Sequence, residues 1–262
     1  MAASAPQKPA AAARQDGKLR LDHLLVARGL FATRSRARDA VLRGTVRSGA
    51  GLLLKPGLMV PADLDIVLDD PARHYVSRAA LKLIAGLDGF AIEAKGRRAA
   101  DIGASTGGFT QVLLERGAAH ITAVDVGHGQ MQPGLKADAR VTLYEGLNAR
   151  DLSIRHFPDG LPDLIVSDVS FISLKLALPP VLALAAPAAV AVLLVKPQFE
   201  AGRRAIGRGG VLKDAAVADQ VADDLFRWLD RVADWQACGL LPSPIEGGDG
   251  NREFLLYGKK KP

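Results

Sequence analysis

Five short apolar segments, Ala99–Ile102, Ile121–Val124, Val141–Tyr144, Leu164–Ser167 and Val190–Val195, recur along the chain with helical patterns between several of them. Those patterns are Gly107–Arg116 and Ile172–Ala185, with Ala215–Val232 following the last segment. Strands that are apolar throughout must be covered on both faces, and strands alternating with helices form a parallel sheet. The reading is therefore an α/β, Rossmann-like chain. Two late extended segments, Gln236–Leu241 and Glu253–Tyr257, complete a mostly parallel seven-stranded sheet.

One stretch imitates a membrane span. Leu176–Val195 carries no charge and lies between Lys175 and Lys196. Pro179, Pro180 and Pro187 interrupt it. The first two fit the opening turn of a helix and the third fits the break before a buried strand. No membrane association is expected. Residues 1–17 lack a continuous apolar core with a cleavage site, so no secretory leader is read there.

The charge is unevenly placed. Residues 1–78 hold 13 Lys and Arg against 7 Asp and Glu, whereas the rest hold 21 of each. The whole net charge of +6 thus belongs to the first third, and eight basic residues fall between Lys18 and Arg47. A basic face on a neutral body suits a polyanion. Residues 19–70 read as a small α+β unit. Leu21, Leu24, Leu25 and Val26 face inward on a helix ended by Gly29, and Thr33 caps a second with Ala37, Ala40, Val41 and Leu42 inward. Short β segments follow at Thr45–Arg47, Leu52–Lys55 and Leu64–Leu68. This divides the chain into a disordered tail (1–18), the small domain (19–70), a linker (71–78) and the α/β domain (79–262).

The single cysteine, Cys238, excludes an internal disulfide and a cysteine-built zinc site, and fits a reducing cytoplasm. His23, His74, His120, His128 and His156 show no ligand spacing, so no metal is expected. Ser105 and Ser170 lie outside a nucleophile elbow, which argues against a serine hydrolase.

Chemistry concentrates at strand ends. Asp101 through Thr110, a strand-to-helix turn with Gly103, Gly107 and Gly108, lets backbone approach a ligand closely. Asp125 ends the next strand, where an acid accepts from ribose hydroxyls. The residues alone leave a dinucleotide or S-adenosylmethionine. Glycines at offsets four and five from Gly103, with Ser105 at offset two, depart from the dinucleotide fingerprint. Asp168 ends one strand and Lys196 the next, so both point into the cleft at the carboxyl edge of the sheet. Lys82 and Glu253 are unremarkable by themselves. Phe171 fits either base stacking or core packing. Gly207 to Gly210 reads as a mobile loop beside the cleft.

These residues resemble a family. Tyr75-Val-Ser-Arg-Ala-Ala-Leu-Lys82-Leu, Asp101-Ile-Gly-Ala-Ser-Thr-Gly-Gly-Phe-Thr110, Val124-Asp-Val-Gly127, Ser167-Asp-Val-Ser-Phe-Ile-Ser173, Val195-Lys-Pro-Gln-Phe-Glu200 and Asn251-Arg-Glu-Phe254 are similar to the FtsJ-type ribose methyltransferases. Over roughly residues 19–257 the chain resembles the TlyA (haemolysin A) rRNA methyltransferases. Arg20-Leu-Asp-His-Leu-Leu25, Thr33-Arg34-x-x-Ala37 and Gly44-x-Val46 resemble an S4-type RNA-binding domain, although Arg47-Ser-Gly-Ala-Gly51 is richer in glycine than the usual hairpin.

The resemblance implies a catalytic tetrad of Lys82, Asp168, Lys196 and Glu253. It implies S-adenosylmethionine held by Asp101, Gly103, Ser105, Thr106, Gly107, Gly108, Phe109, Asp125 and Asn148. It implies rRNA or ribosomal subunits as partner, met by Arg20, Arg34, Arg36, Arg38 and Arg43, and a cytoplasmic monomer that 2′-O-methylates cytidine in 16S or 23S rRNA. Base-amino methyltransferases resemble Asp/Asn-Pro-Pro-Tyr/Phe where this chain has Asp168-Val-Ser-Phe171, which favours the ribose. A non-catalytic RNA-binding factor and a pore-forming haemolysin are the readings from other classes.

Overall fold

The computed structural model describes residues 17–49 and 51–262 of the chain. Contacts divide it into two units, residues 1–73 and 74–262. The expected tail falls outside the described residues up to residue 16. Its last residue, Lys18, is instead part of a strand.

In the smaller unit, β1 (Lys18–Arg20) leads directly into α1 (Leu21–Ala27), followed by α2 (Arg34–Leu42). The side chain of Thr33 accepts from the Arg36 N–H at the head of α2, as an N-cap should. β2 (Val46–Ser48), β3 (Gly51–Leu52) and β5 (Val67–Leu68) form one antiparallel sheet, while β4 (Met59–Pro61) pairs with β1. Both strands of that second pair escape a pattern search because three residues are too few to show alternation. The β segments expected at Leu52–Lys55 and Leu64–Leu68 shrink to two residues each. Leu21, Leu25, Phe31, Ala37, Val41, Val46 and Val60 make the core, as the helical spacing requires.

Residues 71–78 are not a free linker. Arg36 donates to the carbonyls of Ala72 and Arg73 in the smaller unit. In the larger unit, Tyr75 packs against the core and the Val76 N–H bonds Gln111. The larger unit therefore begins at His74 rather than residue 79.

That unit is built on seven strands: β6 (Arg98–Ile102), β7 (His120–Asp125), β8 (Val141–Glu145), β9 (Leu164–Ser167), β10 (Val190–Val195), β11 (Trp235–Pro242) and β12 (Phe254–Lys260). Their order is β11-β12-β10-β9-β6-β7-β8. β12 runs antiparallel to both neighbours and the rest are parallel. Successive residues serve opposite cores: Ile165, Leu193 and Leu256 face one side, Leu164, Val192 and Leu255 the other. α3 (Ala80–Gly89) and α4 (Gly108–Glu115) cover the second side. α5 (Pro133–Lys136) packs beside β8. α6 (Leu174–Ala177), α7 (Pro179–Leu184) and α9 (Ala216–Leu229) cover the first, and α8 (Pro197–Glu200) follows β10 as a single turn. The helix expected over Ile172–Ala185 is split between α6 and α7, because Pro179 and Pro180 lack the N–H groups that would continue it.

From β6 the chain moves outward through β7 and β8, then returns to place β9 on the other side of β6. The carboxyl ends of β6 and β9 are thus the point where strand order reverses, the place where such sheets open a ligand crevice.

Candidate active site

The turn after β6 is set by three residues in the left-handed region, Gly103 at φ 86°, Ser105 at 47° and Gly107 at 98°. At Gly103 a Cβ would stand 3.0 Å from the backbone of Asp168 and Val169, so only glycine lets the two strand ends close on each other. The Gly103 N–H bonds the Val124 carbonyl at 2.8 Å. Asp125 stitches the turn to the next strand end. One of its oxygens accepts the Ser105 N–H at 2.8 Å and the other the Gly127 N–H at 2.7 Å. Each carboxylate oxygen keeps a further lone pair for a hydroxyl.

Asp101 is sealed beneath this loop rather than displayed on it. It is fully buried, and Thr110 donates its hydroxyl to Oδ2 at 2.6 Å. Burial pushes its carboxyl up to about 7, against the opposing Thr110 bond, and the charge of Asp168 adds to the rise. Thr110 is a partner that the sequence reading did not single out. Phe109 belongs to the core between α3 and α4. Thr106 and Gly108 border a small recess of about 140 Å³ together with Ser77, Ser170 and Lys196.

A larger cleft of about 550 Å³ opens on the other side of Gly103, lined by Asp125, Val126, Gln130, Leu147 and Asn148 among others. Asn148 spends its side-chain oxygen on the Arg150 N–H at 3.0 Å, capping a short turn, and its amide hydrogens have no partner among the described residues. Gly103, Ser105, Asp168 and Ser170 border both recesses.

The four residues of the expected tetrad form two ion pairs. Lys196 Nζ lies 2.6 Å from Asp168 Oδ1 and also donates to Ser170 Oγ at 2.7 Å. Ser170 was not anticipated as a partner; its position two residues past Asp168 on the same loop is the available signal. Lys82, on α3, pairs with Glu253 in the interior, the residues being 5% and 4% exposed. The pairs are neighbours by register. Val195 opposes Phe254 in the β10–β12 ladder, so the next step sets Lys196 against Glu253.

Phe171 is 90% exposed at φ 64°, its ring 4.9 Å from that of Phe199, so core packing is excluded. The loop at Gly207–Gly210 is clasped: Asn251, itself buried, donates to the Gly210 carbonyl and accepts the Leu212 N–H. Among the described residues no cluster of His, Cys, Asp or Glu could hold a metal ion.

The basic residues of the smaller unit divide into two kinds. Arg43 chelates Asp70 through two nitrogens at 2.9 and 3.0 Å and reaches Asp39 at 2.8 Å, with its side chain only 14% exposed. It braces the unit, contrary to the expectation of an outward RNA contact. Arg20 and Arg34 share buried Asp22 at 3.0 and 3.1 Å. Burial alone would raise the Asp22 carboxyl, but those two guanidinium groups hold it below the usual range. Arg38 stands exposed, with no partner among the described residues.

A seven-stranded sheet with one inserted antiparallel strand, a glycine turn tied to an acidic residue and a lysine–aspartate pair at the reversal point define a Rossmann-like methyltransferase. Comparison with known proteins agrees. The family model for FtsJ-like methyltransferases matches residues 75–260, and the chain belongs to that family. The 16S/23S rRNA (cytidine-2′-O)-methyltransferase TlyA of Mycobacterium tuberculosis is 42% identical over 241 residues, 92% of this chain and 89% of that one. The 23S rRNA (cytidine-2′-O)-methyltransferase TlyA of Campylobacter jejuni is 39% identical over 191 residues, 72% and 73% of the two chains. A solved structure described as a hemolysin from Streptococcus thermophilus is similar at a TM-score of 0.73 and 39% identity, covering 94% of this chain and 89% of that one.

Proposed function

We propose that the chain methylates the 2′-hydroxyl of a ribose in rRNA, on cytidine, with S-adenosylmethionine as donor. The observation that carries this is the Lys196–Asp168 pair on the border shared by the two recesses. The larger cleft fits the donor. Its volume suits a nucleoside-sized ligand, Asp125 retains acceptor capacity for ribose hydroxyls, and the bare Gly103 admits close approach. Bound there, S-adenosylmethionine supplies an electrophilic methyl group on a sulfonium.

The chain's own residues prepare the acceptor. A ribose hydroxyl is a poor nucleophile until its proton is taken or steered. Lys196 gives up a proton to solvent before the reaction and then accepts that of the hydroxyl at Nζ as the oxygen gains the methyl group. Asp168 fixes the direction of the amine, and Ser170 takes one of its remaining bonds. Lys82 and Glu253, the latter opposite Lys196 in register, supply a fixed and mutually neutralising pair that orders the strand end. The exposed ring of Phe171 offers a face on which a nucleobase stacks.

The smaller unit supports RNA as the substrate, with Arg38 and the outer edges of Arg20 and Arg34 as its phosphate contacts. A cytoplasmic location follows from that substrate. For the pore-forming alternative, no helix among the described residues is long and apolar enough to cross a membrane. The test is tritium transfer from labelled S-adenosylmethionine to rRNA. Transfer that is lost in Lys196→Ala, with donor affinity retained, supports the reading; full turnover in that variant removes it.

A further inference from the structure

The segment after the catalytic strand end gathers three arginines within six residues. Elsewhere in the larger unit Arg116, Arg140, Arg227 and Arg252 each pair with a carboxylate. Arg203, Arg204 and Arg208 are all exposed, and none has an ion-pair partner among the described residues. Three exposed guanidinium groups within six residues concentrate positive charge, which favours the approach of a polyanion.

The segment is also built, not loose. Ile206 and Leu212 bridge, the Gly207 N–H bonds the Val211 carbonyl at 2.7 Å, and the Lys213 N–H bonds the Ala205 carbonyl at 3.0 Å. Buried Asn251 holds the far side of the ring at Gly210 and Leu212. Lys213 turns its amine onto the Arg204 carbonyl at 2.9 Å, so it locks the backbone that carries the arginines. Asp214, the next carboxylate along the chain, accepts the Ala216 N–H. Order of this kind lowers the entropy lost when a flexible polyanion docks.

Its position is set by the sheet. Arg203 follows Lys196 by seven residues, with the turn of α8 between them, so their Cα atoms lie within about 25 Å of each other even at full extension. A few nucleotides of RNA backbone span that distance. Asn251, which clasps the ring, is two residues before Glu253. None of the three arginines lines either recess, so they are free of duties toward the donor.

We propose that Arg203, Arg204 and Arg208 form a phosphate-binding surface that grips the substrate RNA on the backbone flanking the target nucleotide. The proposal rests on the rRNA reading given above. The surface is separate from the basic face of the smaller unit and acts on the strand near the reacting centre.

The full chain with Arg203, Arg204 and Arg208 all changed to Gln is compared with wild type. Binding to 16S and 23S rRNA transcripts is measured across a potassium chloride series, and S-adenosylmethionine affinity by calorimetry. The slope of log K against log salt falls by about two, since each lost phosphate contact removes about 0.7 for a single strand. Donor affinity is unchanged. Arg231→Gln is the control: Arg231 is also exposed, with no carboxylate at ion-pair distance among the described residues, but precedes β11, whose first residue pairs with Lys260 at the sheet end opposite the site. Its slope stays at the wild-type value. If the triple variant fails to fold, Arg208→Gln alone lowers the slope by about 0.7. An unchanged slope overturns the proposal. So does unchanged binding to transcripts with weakened binding to whole ribosomal subunits, which would assign the surface to a protein partner. A wild-type chain that binds RNA with this salt dependence yet transfers no methyl group would remove the enzymatic reading and leave the surface standing.

Discussion

Lys196 Nζ stands 2.6 Å from Asp168 Oδ1, across the gap between two adjacent parallel strands that both end at this point. Strand register sets how far apart they start. Leu193 of β10 opposes Ser167 of β9, so Asp168 falls level with Leu194, and the side chain of Lys196, two residues further on, reaches back to it. The same argument places Glu253 opposite Lys196 through β12. Rigid strand ends hold catalytic groups more closely than mobile loops do.

The buried Lys82–Glu253 pair predicts a separation of stability from activity. Glu253→Gln leaves a lysine charge uncompensated in the interior and costs about 3–5 kcal/mol. The double variant Lys82→Met, Glu253→Leu recovers most of that loss but not methyl transfer. Urea unfolding of the two variants beside wild type checks this. A double variant no more stable than the single one would remove the buried-charge explanation.

Asp101 makes stability depend on pH with an unusual sign. Its folded carboxyl titrates at about 7, above the usual value of about 3.9 for an unfolded chain. The folded state therefore holds the proton more tightly. This contribution is full below pH 4, is lost as pH rises toward 7, and is flat above. Asp101→Asn, which mimics the protonated form, removes the decline. Unfolding midpoints compared between pH 5 and pH 7.5 should drop in wild type and stay level in the variant.

Gly103→Ala forces a side chain into the left-handed region and against the Asp168 backbone at 3.0 Å. The conformational strain alone costs about 1–2 kcal/mol. Because the displaced group is the backbone that carries Asp168, methyl transfer falls more steeply than stability. Paired measurements of melting temperature and turnover distinguish this from a general loss of fold.

Two arginines on the same helical segment separate binding from structure. Arg38→Gln lowers the salt slope of rRNA binding by about one and leaves stability unchanged. Arg43→Gln breaks charged hydrogen bonds to Asp70 and Asp39, costing about 2–3 kcal/mol, and leaves the slope alone. Equal slopes in the two variants would refute this division.

Much of this was legible in the residues. The sheet could be read because its strands are long and uniformly apolar, as in Val190–Val195. The glycine turn, Asp125, Asp168 and Lys196 could be placed because each follows a strand end. Pairing was hidden. Nothing in the sequence says that Arg43 turns inward onto Asp70, since their separation is 27 residues and depends on the fold of the β segments. Lys82 and Glu253 lie 171 residues apart and meet only through packing of α3 on the sheet. Asp101 looked like a ligand contact because it opens the turn, yet its side chain points into the protein, where Thr110 holds it. The clasped loop looked mobile because its glycines are visible in sequence, whereas its Asn251 anchor lies some forty residues away.

The central claim is that Lys196 handles the proton of a ribose hydroxyl. The direct measurement is tritium transfer from S-adenosylmethionine to rRNA by the Lys196→Ala variant, with donor affinity measured on the same protein. Loss of general-base assistance lowers turnover by about 100-fold or more while donor affinity stays at the wild-type level, and the tritium of the wild-type reaction is recovered at a ribose 2′-oxygen. Wild-type turnover in the variant, or label recovered on a base nitrogen, would contradict the account.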